Sequence, residues 1–214
     1  MARGPVDLTL RCPRCLFPFE ACLCAEVVAV PTRTRFLVVR HASEIPRPTN
    51  TARWAALALP ALRIVDHAVP GAALDLEALV EPGAAVLFPS PHAPRLREPP
   101  RQVVVLDGTW TQARRMIQRF PALQRLPRLS LPPRPARPAL GPMRRSRVAG
   151  GRATLDAIAG ALELLGEAEA ARALSALGAA ALERGWRLRA GAGSAAGEQR
   201  RPAAGEQRHL KDCG

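Results

Sequence analysis

Apolar and polar positions along the chain follow two rhythms. Four short, nearly unbroken apolar runs, Arg35–Arg40, Arg63–Val65, Ala84–Phe88 and Val103–Leu106, read as strands buried on both faces. Helical spacing appears at Thr51–Leu59, Thr109–Phe120, Ala153–Leu165 and Glu167–Glu183. In the third of these, Leu155, Ile158, Leu162 and Leu165 share a face, and Thr154 and Asp156 stand where oxygen-bearing side chains cap free amides. Strands alternating with helices predict an α/β domain with a mostly parallel sheet flanked by helices. Such sheets bind ligands at the carboxyl ends of their strands, so a site is expected in the loops after Arg40, Phe88 and Leu106.

The rhythm stops at both ends. Residues 1–26 carry cysteines without periodicity and read as a separate small module, 27–188 as the main domain, and 189–214 as a disordered tail of Gly, Ala, Glu, Gln and Arg. In that tail Ala-Ala-Gly-Glu-Gln-Arg occurs twice, at 195–200 and 203–208, as replication slippage would leave it. A Pro/Arg-rich loop at 127–142 divides the main domain. The start lacks the apolar core of a secretion signal, and no apolar run approaches the roughly 20 residues that span a bilayer. The expectation is a cytoplasmic protein with no membrane contact and no protein partner implied.

Charge changes the picture by where it lies. The 214 residues carry a formal net charge of +13, which alone could reflect composition bias, since the only lysine is Lys211. From Gly108 to Leu155, however, no Asp or Glu occurs, while Arg114, Arg115, Arg144 and Arg145 are among many arginines there. A block of one sign is an electrostatic footprint for phosphate, hence for RNA or DNA.

Cys12, Cys15, Cys22 and Cys24 are spaced C-x2-C, six residues, C-x-C. Paired thiolates on tight turns can wrap a tetrahedral Zn²⁺, structural because four thiolates leave no open position. Two disulfides are the competing reading, disfavoured in a reducing compartment. Cys213 falls in the tail and reads as idle.

Three loops carry polar candidates. His41-Ala42-Ser43-Glu44 and Arg47-Pro48-Thr49-Asn50-Thr51 follow the first strand, with Asn50 or Thr51 as a cap. Phe88-Pro89-Ser90 follows the third, and Asp107-Gly108-Thr109-Trp110 the fourth. Each is open to a plainer account: Asp107 as a helix cap, Trp110 as core.

Taken in order, these segments resemble the DTW-domain family, named for an Asp-x-Thr-Trp signature, over roughly residues 12–184. Cys12, Arg14, Cys15, Pro18, Cys22 and Cys24 fit its cysteine pattern. Glu44, Pro48, Thr49, Asn50, Thr51 and Arg53 fit its first loop, Phe88, Pro89 and Ser90 its second, and Asp107, Gly108, Thr109, Trp110, Ala113, Arg114 and Met116 its third. Two departures stand out. Asp156 replaces a usual Glu with Ala153 before Thr154, and Trp54 replaces a usual Leu.

The resemblance implies a SPOUT-like enzyme, with a knot near the carboxyl end, that uses S-adenosyl-L-methionine to place an aminocarboxypropyl group on N3 of a tRNA uridine. Same-fold alternatives are an RNA methyltransferase and a ribosomal RNA aminocarboxypropyltransferase; a non-catalytic zinc-containing RNA-binding module is the third reading. Under the first, Asp107 is the candidate general base with Glu44 second, although either acid could instead hold the cofactor's amino group. Thr49, Asn50, Thr51, Ser90, Thr109, Trp110 and Thr154 are the candidate cofactor contacts. Arg53, Arg114, Arg115, Arg144 and Arg145 are the candidate RNA ligands.

Overall fold

The structure is a computed structural model that describes residues 7–90, 98–132 and 151–194. Five strands form one sheet: β1 (Arg35–His41), β2 (Leu62–His67), β3 (Ala84–Leu87), β4 (Gln102–Asp107) and β5 (Arg128–Leu129), in the order β2-β1-β4-β3-β5. Every pairing is parallel. This is the sheet that the unbroken apolar runs predict. Phe36, Val38, Ala85, Val103 and Val105 face one apolar cluster, and Leu37, Val39, Val86 and Val104 face another. A strand covered on both sides has no polar face to show.

Helices fill the two faces. On the first lie α1 (Thr51–Ala58), α4 (Thr154–Leu164) and α5 (Ala168–Ser194), which supply Trp54, Leu155, Ile158, Leu162 and Leu174 to the core. On the second lie α2 (Trp110–Arg119) and the short α3 (Pro121–Arg125), through Met116 and Leu123.

Three boundaries differ from the sequence reading. The expected Thr109–Phe120 helix stops at Arg119, and Pro121 starts α3 at a position where its missing N–H costs nothing. Two residues of the Pro/Arg loop, Arg128 and Leu129, pair with Val86 and Leu87 as an edge strand too short to leave a periodic signal. Helix α5 runs on to Ser194, past the expected end at Glu183 and past residue 189, where the sequence reading begins the tail. Residues 195–214, with the repeat and Cys213, lie outside the described residues, as do Arg144 and Arg145. The stretch 133–150 between β5 and α4 also lies outside them, and with it part of the carboxyl-terminal region in which the knot is expected.

The cysteine segment is not packed apart. Cys12, Cys15, Phe17 and Leu23 belong to the same apolar cluster as α1, α4 and α5. Trp54 stacks on Phe17 at 5.4 Å between ring centroids and donates its indole N–H to the Cys15 carbonyl at 3.0 Å. The departure at position 54 is thus a packing residue that locks α1 to the cysteine turn.

Connectivity fixes where a ligand can lie. From β1 the chain passes through α1 to β2, toward one edge; from β4 it passes through α2 and α3 to β5, toward the other. Adjacent strands whose connections diverge leave a crevice at their carboxyl ends. Here it opens between the loops after His41 and Asp107.

Candidate functional site

Asp66, Arg40 and Asp107 stand abreast at the carboxyl ends of β2, β1 and β4. Arg40 closes a two-pronged ion pair onto Asp66 at 2.7 and 3.1 Å and is only 8% exposed. Asp107, 5% exposed, reaches the other way. Its Oδ2 accepts from Asn50 Nδ2 at 2.6 Å, and its Oδ1 accepts from the Thr154 hydroxyl at 2.5 Å.

The two donors come from two helix starts. Asn50 caps α1, its Oδ1 accepting from Arg53 N at 3.0 Å, so its amide nitrogen is turned toward Asp107. Thr154 is the first residue of α4. Thr51 completes the join, its hydroxyl oxygen accepting from Leu155 N at 3.2 Å. One carboxylate therefore holds the amino ends of α1 and α4 together at the end of the central strand.

Burial is the main influence on Asp107 and raises its pKa. The hydrogen bonds from Thr154 and Asn50 oppose it, the nearby negative charge of Glu44 adds to it, and Arg40 opposes it. Glu44 is itself 2% exposed and pairs with Arg47 at 3.3 Å. Two buried acids at one crevice, one with a raised pKa, are groups suited to proton transfer.

A second polar network lies on the α2 side. Thr109 and Gln112 form a capping box, with Thr109 N donating to Gln112 Oε1 at 2.7 Å and Gln112 N to Thr109 Oγ1 at 3.3 Å. Gln112 Nε2 then reaches Ser43 Oγ and His41 Nδ1, each at 3.2 Å. Ser43 N also donates to His41 Nδ1, which places the ring proton on Nε2. A Cβ at Gly108 would sit 2.9 Å from Gln112 Oε1, so a glycine is what lets Gln112 fold back over the turn.

The remaining candidates are spread around this centre. Trp110 sets its ring edge-to-face with Phe88 at 5.9 Å. The Ser90 backbone N–H points to Ser130 Oγ at 3.4 Å, on the β5 side. Thr49 is half-buried just ahead of Asn50, and Arg114 and Arg115 are exposed on α2. Arg53, expected as an RNA ligand, has its guanidinium bonded within the protein. Its Nη1 and Nη2 donate to the carbonyls of Pro13 and Ile45 at 3.2 and 3.0 Å, making it a strut between the cysteine turn and the Glu44 loop.

Sequence reasoning missed Arg40 and Gln112 as parts of the site, and it singled out the loop of His41 and Ser43 without giving either residue a role. A charged residue ending an unbroken apolar run was the available signal for Arg40, because a buried charge needs a partner.

The four cysteine sulfurs lie within 4.8 Å of one another, with Cys12–Cys24 at 3.6 Å and Cys15–Cys22 at 3.8 Å. Four sulfurs about 2.3 Å from a tetrahedral Zn²⁺ stand about 3.8 Å apart, so the set fits that ion. Burial pushes the Cys15 and Cys24 thiols up, so thiolates persist there only beside a cation. The turn that gathers them uses Leu16 at φ 59° and the bonds Cys12 N to Phe17 O and Leu16 N to Cys12 O, both 2.9 Å. Arg184 of α5 donates to the Cys22 carbonyl at 3.0 Å and clamps the far side.

Among known proteins, the chain is 27% identical over 150 residues to tRNA-uridine aminocarboxypropyltransferase 2 of Drosophila melanogaster, a match over 61% of this chain and 57% of that protein. The chain therefore matches little more than half the length of that relative. No solved structure matches. The model of the DTW domain matches residues 9–183, from the cysteine turn through α4 and most of α5, and so the chain belongs to the DTW-domain family.

Proposed function

We propose that this chain transfers the 3-amino-3-carboxypropyl group of S-adenosyl-L-methionine to N3 of a uridine in tRNA, acting in the cytoplasm on a SPOUT-like sheet. The observation that carries the reading is the buried Asp107 carboxylate, held at the crevice by Asn50 and Thr154 from two helix starts. The family membership and the printed activity of the fruit-fly relative support it.

The chemistry asks little beyond orientation and one proton acceptor. A bond forms between uridine N3 and the γ-carbon of the sulfonium substrate. The carbon–sulfur bond breaks, its electron pair stays on sulfur, and methylthioadenosine leaves. The N3 proton must go to a base. Asp107 is that base: each of its oxygens accepts one protein hydrogen bond and keeps a further lone pair. A raised pKa makes it a better acceptor than an ordinary carboxylate. Glu44 is the second acid of the site.

Thr49, Thr51, Ser90, Thr109 and Trp110 are the remaining cofactor contacts in this reading. Arg114 and Arg115 on α2 face the tRNA, and Arg144 and Arg145 continue the basic block. Zinc held by Cys12, Cys15, Cys22 and Cys24 is structural and takes no part in transfer. Among the described residues no helix is long and apolar enough to cross a membrane.

The test is incubation of unmodified tRNA with the protein and sulfonium substrate labelled in the carboxypropyl chain. Label in RNA, lost in Asp107→Asn, is the expected result. Label entering only from the methyl group overturns the reading in favour of a methyltransferase. Tight RNA binding with no label from either overturns it in favour of a non-catalytic module.

A further inference from the structure

Arg128 stands apart from the other arginines of the described chain. It lies on β5 beside Val86, on the α2 face of the sheet, and its guanidinium carbon sits 5.6 Å from the centre of the Phe88 ring. That ring in turn packs edge-to-face on Trp110. Among the described residues Arg128 makes no hydrogen bond and no ion pair, and its Nη1 is buried without a partner. An unpaired buried donor on a charged group is costly, and native structures usually supply an ion, a water or a ligand there.

The ring fixes the direction of the fork. Phe88 follows Leu87, which is level with Val105, so the residue that carries the ring falls level with Leu106, one residue short of Asp107. Two strand spacings separate β4 from β5, about 10 Å. Asp107 leaves the sheet on the α1 and α4 face and Arg128 on the α2 face, so a ligand that meets both lies across the carboxyl ends of β4 and β3, with its amino-acid arm turned toward β5. Arg114 and Arg115 differ in kind: exposed on α2, they suit the mobile contacts that a phosphate backbone needs. A half-buried arginine oriented by an aromatic ring suits a small planar oxyanion bound two-pronged.

We propose that Arg128 is the carboxylate-binding residue for the amino-acid arm of the sulfonium substrate, with Phe88 and Trp110 as the aromatic wall that aims it. The proposal rests on the reading of the site given above and adds what selects its substrate. Three carbons on the sulfonium are activated, and only one arm carries a negative charge. Fixing that charge fixes which of the three carbons faces uridine N3 and leaves sulfur.

The experiment compares dissociation constants of wild type, Arg128→Gln and Arg128→Lys for three ligands: S-adenosyl-L-methionine, its decarboxylated analogue, and methylthioadenosine. Wild type should prefer the carboxylate-bearing ligand by roughly tenfold to a hundredfold. Arg128→Gln should lose that preference and leave methylthioadenosine affinity within about twofold of wild type. Arg128→Lys should fall between, keeping the charge without the fork. A preference undiminished in Arg128→Gln overturns the inference alone and leaves the proposed reaction standing. Wild type that binds none of the three overturns both. A loss of tRNA affinity in Arg128→Gln with unchanged sulfonium binding overturns the inference in favour of a phosphate contact. Should Arg128→Gln not fold, Arg128→Lys decides: a reduced preference supports the assignment and a full one overturns it.

Discussion

The cysteine cluster and the Asp107 crevice solve one problem in opposite ways. Both bury acidic groups against the same apolar face, and in both burial raises the pKa. At the cysteines the four sulfurs lie against one another, an arrangement that could hold a metal ion. At Asp107 relief comes from neutral donors, Asn50 and Thr154, with Arg40 nearby. A metal satisfies its ligands completely and makes them inert, whereas hydrogen bonds from an amide and a hydroxyl leave a carboxylate able to take a proton. In the proposed reading the first arrangement is a strut and the second a reactive centre. Helix α1 joins them, with Trp54 and Arg53 on the cysteine turn and Asn50 on Asp107.

The comparison breaks most visibly if the proposed metal is removed. A strong chelator, or Cys15→Ser, should cost several kcal/mol of stability, since structural zinc sites contribute about 10 kcal/mol or more in isolated fingers. Thermal melting with and without chelator measures it; an unchanged melting temperature would show that hydrogen bonds alone hold the turn. Next in size is the contrast between two replacements of Asp107. Asp107→Ala leaves Asn50 Nδ2 and Thr154 Oγ1 without their acceptor and should cost about 1–3 kcal/mol in urea unfolding. Asp107→Asn keeps an oxygen for Asn50 and gives Thr154 a donor, so it should stay near wild-type stability while transfer falls by about a hundredfold or more. Equal destabilisation by both would reduce Asp107 to a rivet between helices.

A smaller effect follows from the raised pKa. The folded protein binds a proton at Asp107 more readily than the unfolded chain, whose carboxyl titrates near 3.8. Stability from this group is therefore present at acid pH and declines as pH rises from about 3.8 through the folded value. Asp107→Asn removes that decline. The stability of wild type relative to the Asn variant should thus fall with rising pH over this window, and a flat or rising difference would contradict the burial that defines the crevice. Smallest is Trp54→Phe, which keeps the stack on Phe17 but loses the bond to the Cys15 carbonyl. About 1 kcal/mol is expected from denaturant midpoints. A much larger loss would mean that the indole carries the cysteine turn more than the sulfurs do.

Much of the fold was legible because covering both faces of a parallel sheet forces unbroken apolar runs. Runs such as Val103–Leu106 therefore announce themselves. Strand β5 did not, because two residues make no rhythm and Leu129 is held by pairing with Leu87. The carboxyl limit of α5 was misplaced for a related reason: Gly- and Ala-rich sequence carries no apolar stripe, yet the helix continues to Ser194. In the site, Asp107, Asn50, Thr51 and Thr154 were singled out in the sequence and the fold brings them into one hydrogen-bonded join. Arg53 is a residue whose contacts within the protein the sequence did not show. An arginine beside a polar loop looks the same whether its fork meets a phosphate or the Pro13 and Ile45 carbonyls.

By itself the sequence determined the rhythm of strands and helices, the spacing of a metal-binding cysteine turn and the sign of the surface charge. Each is written in residues close along the chain, where local geometry and composition act directly. Only the tertiary structure decided which distant side chains meet. Asn50, Asp107 and Thr154 are 57 and 47 positions apart. Their convergence depends on β1 and β4 lying side by side while their connections diverge. So does the environment that raises the pKa of Asp107, because desolvation belongs to the packed core and no single residue carries it in its name.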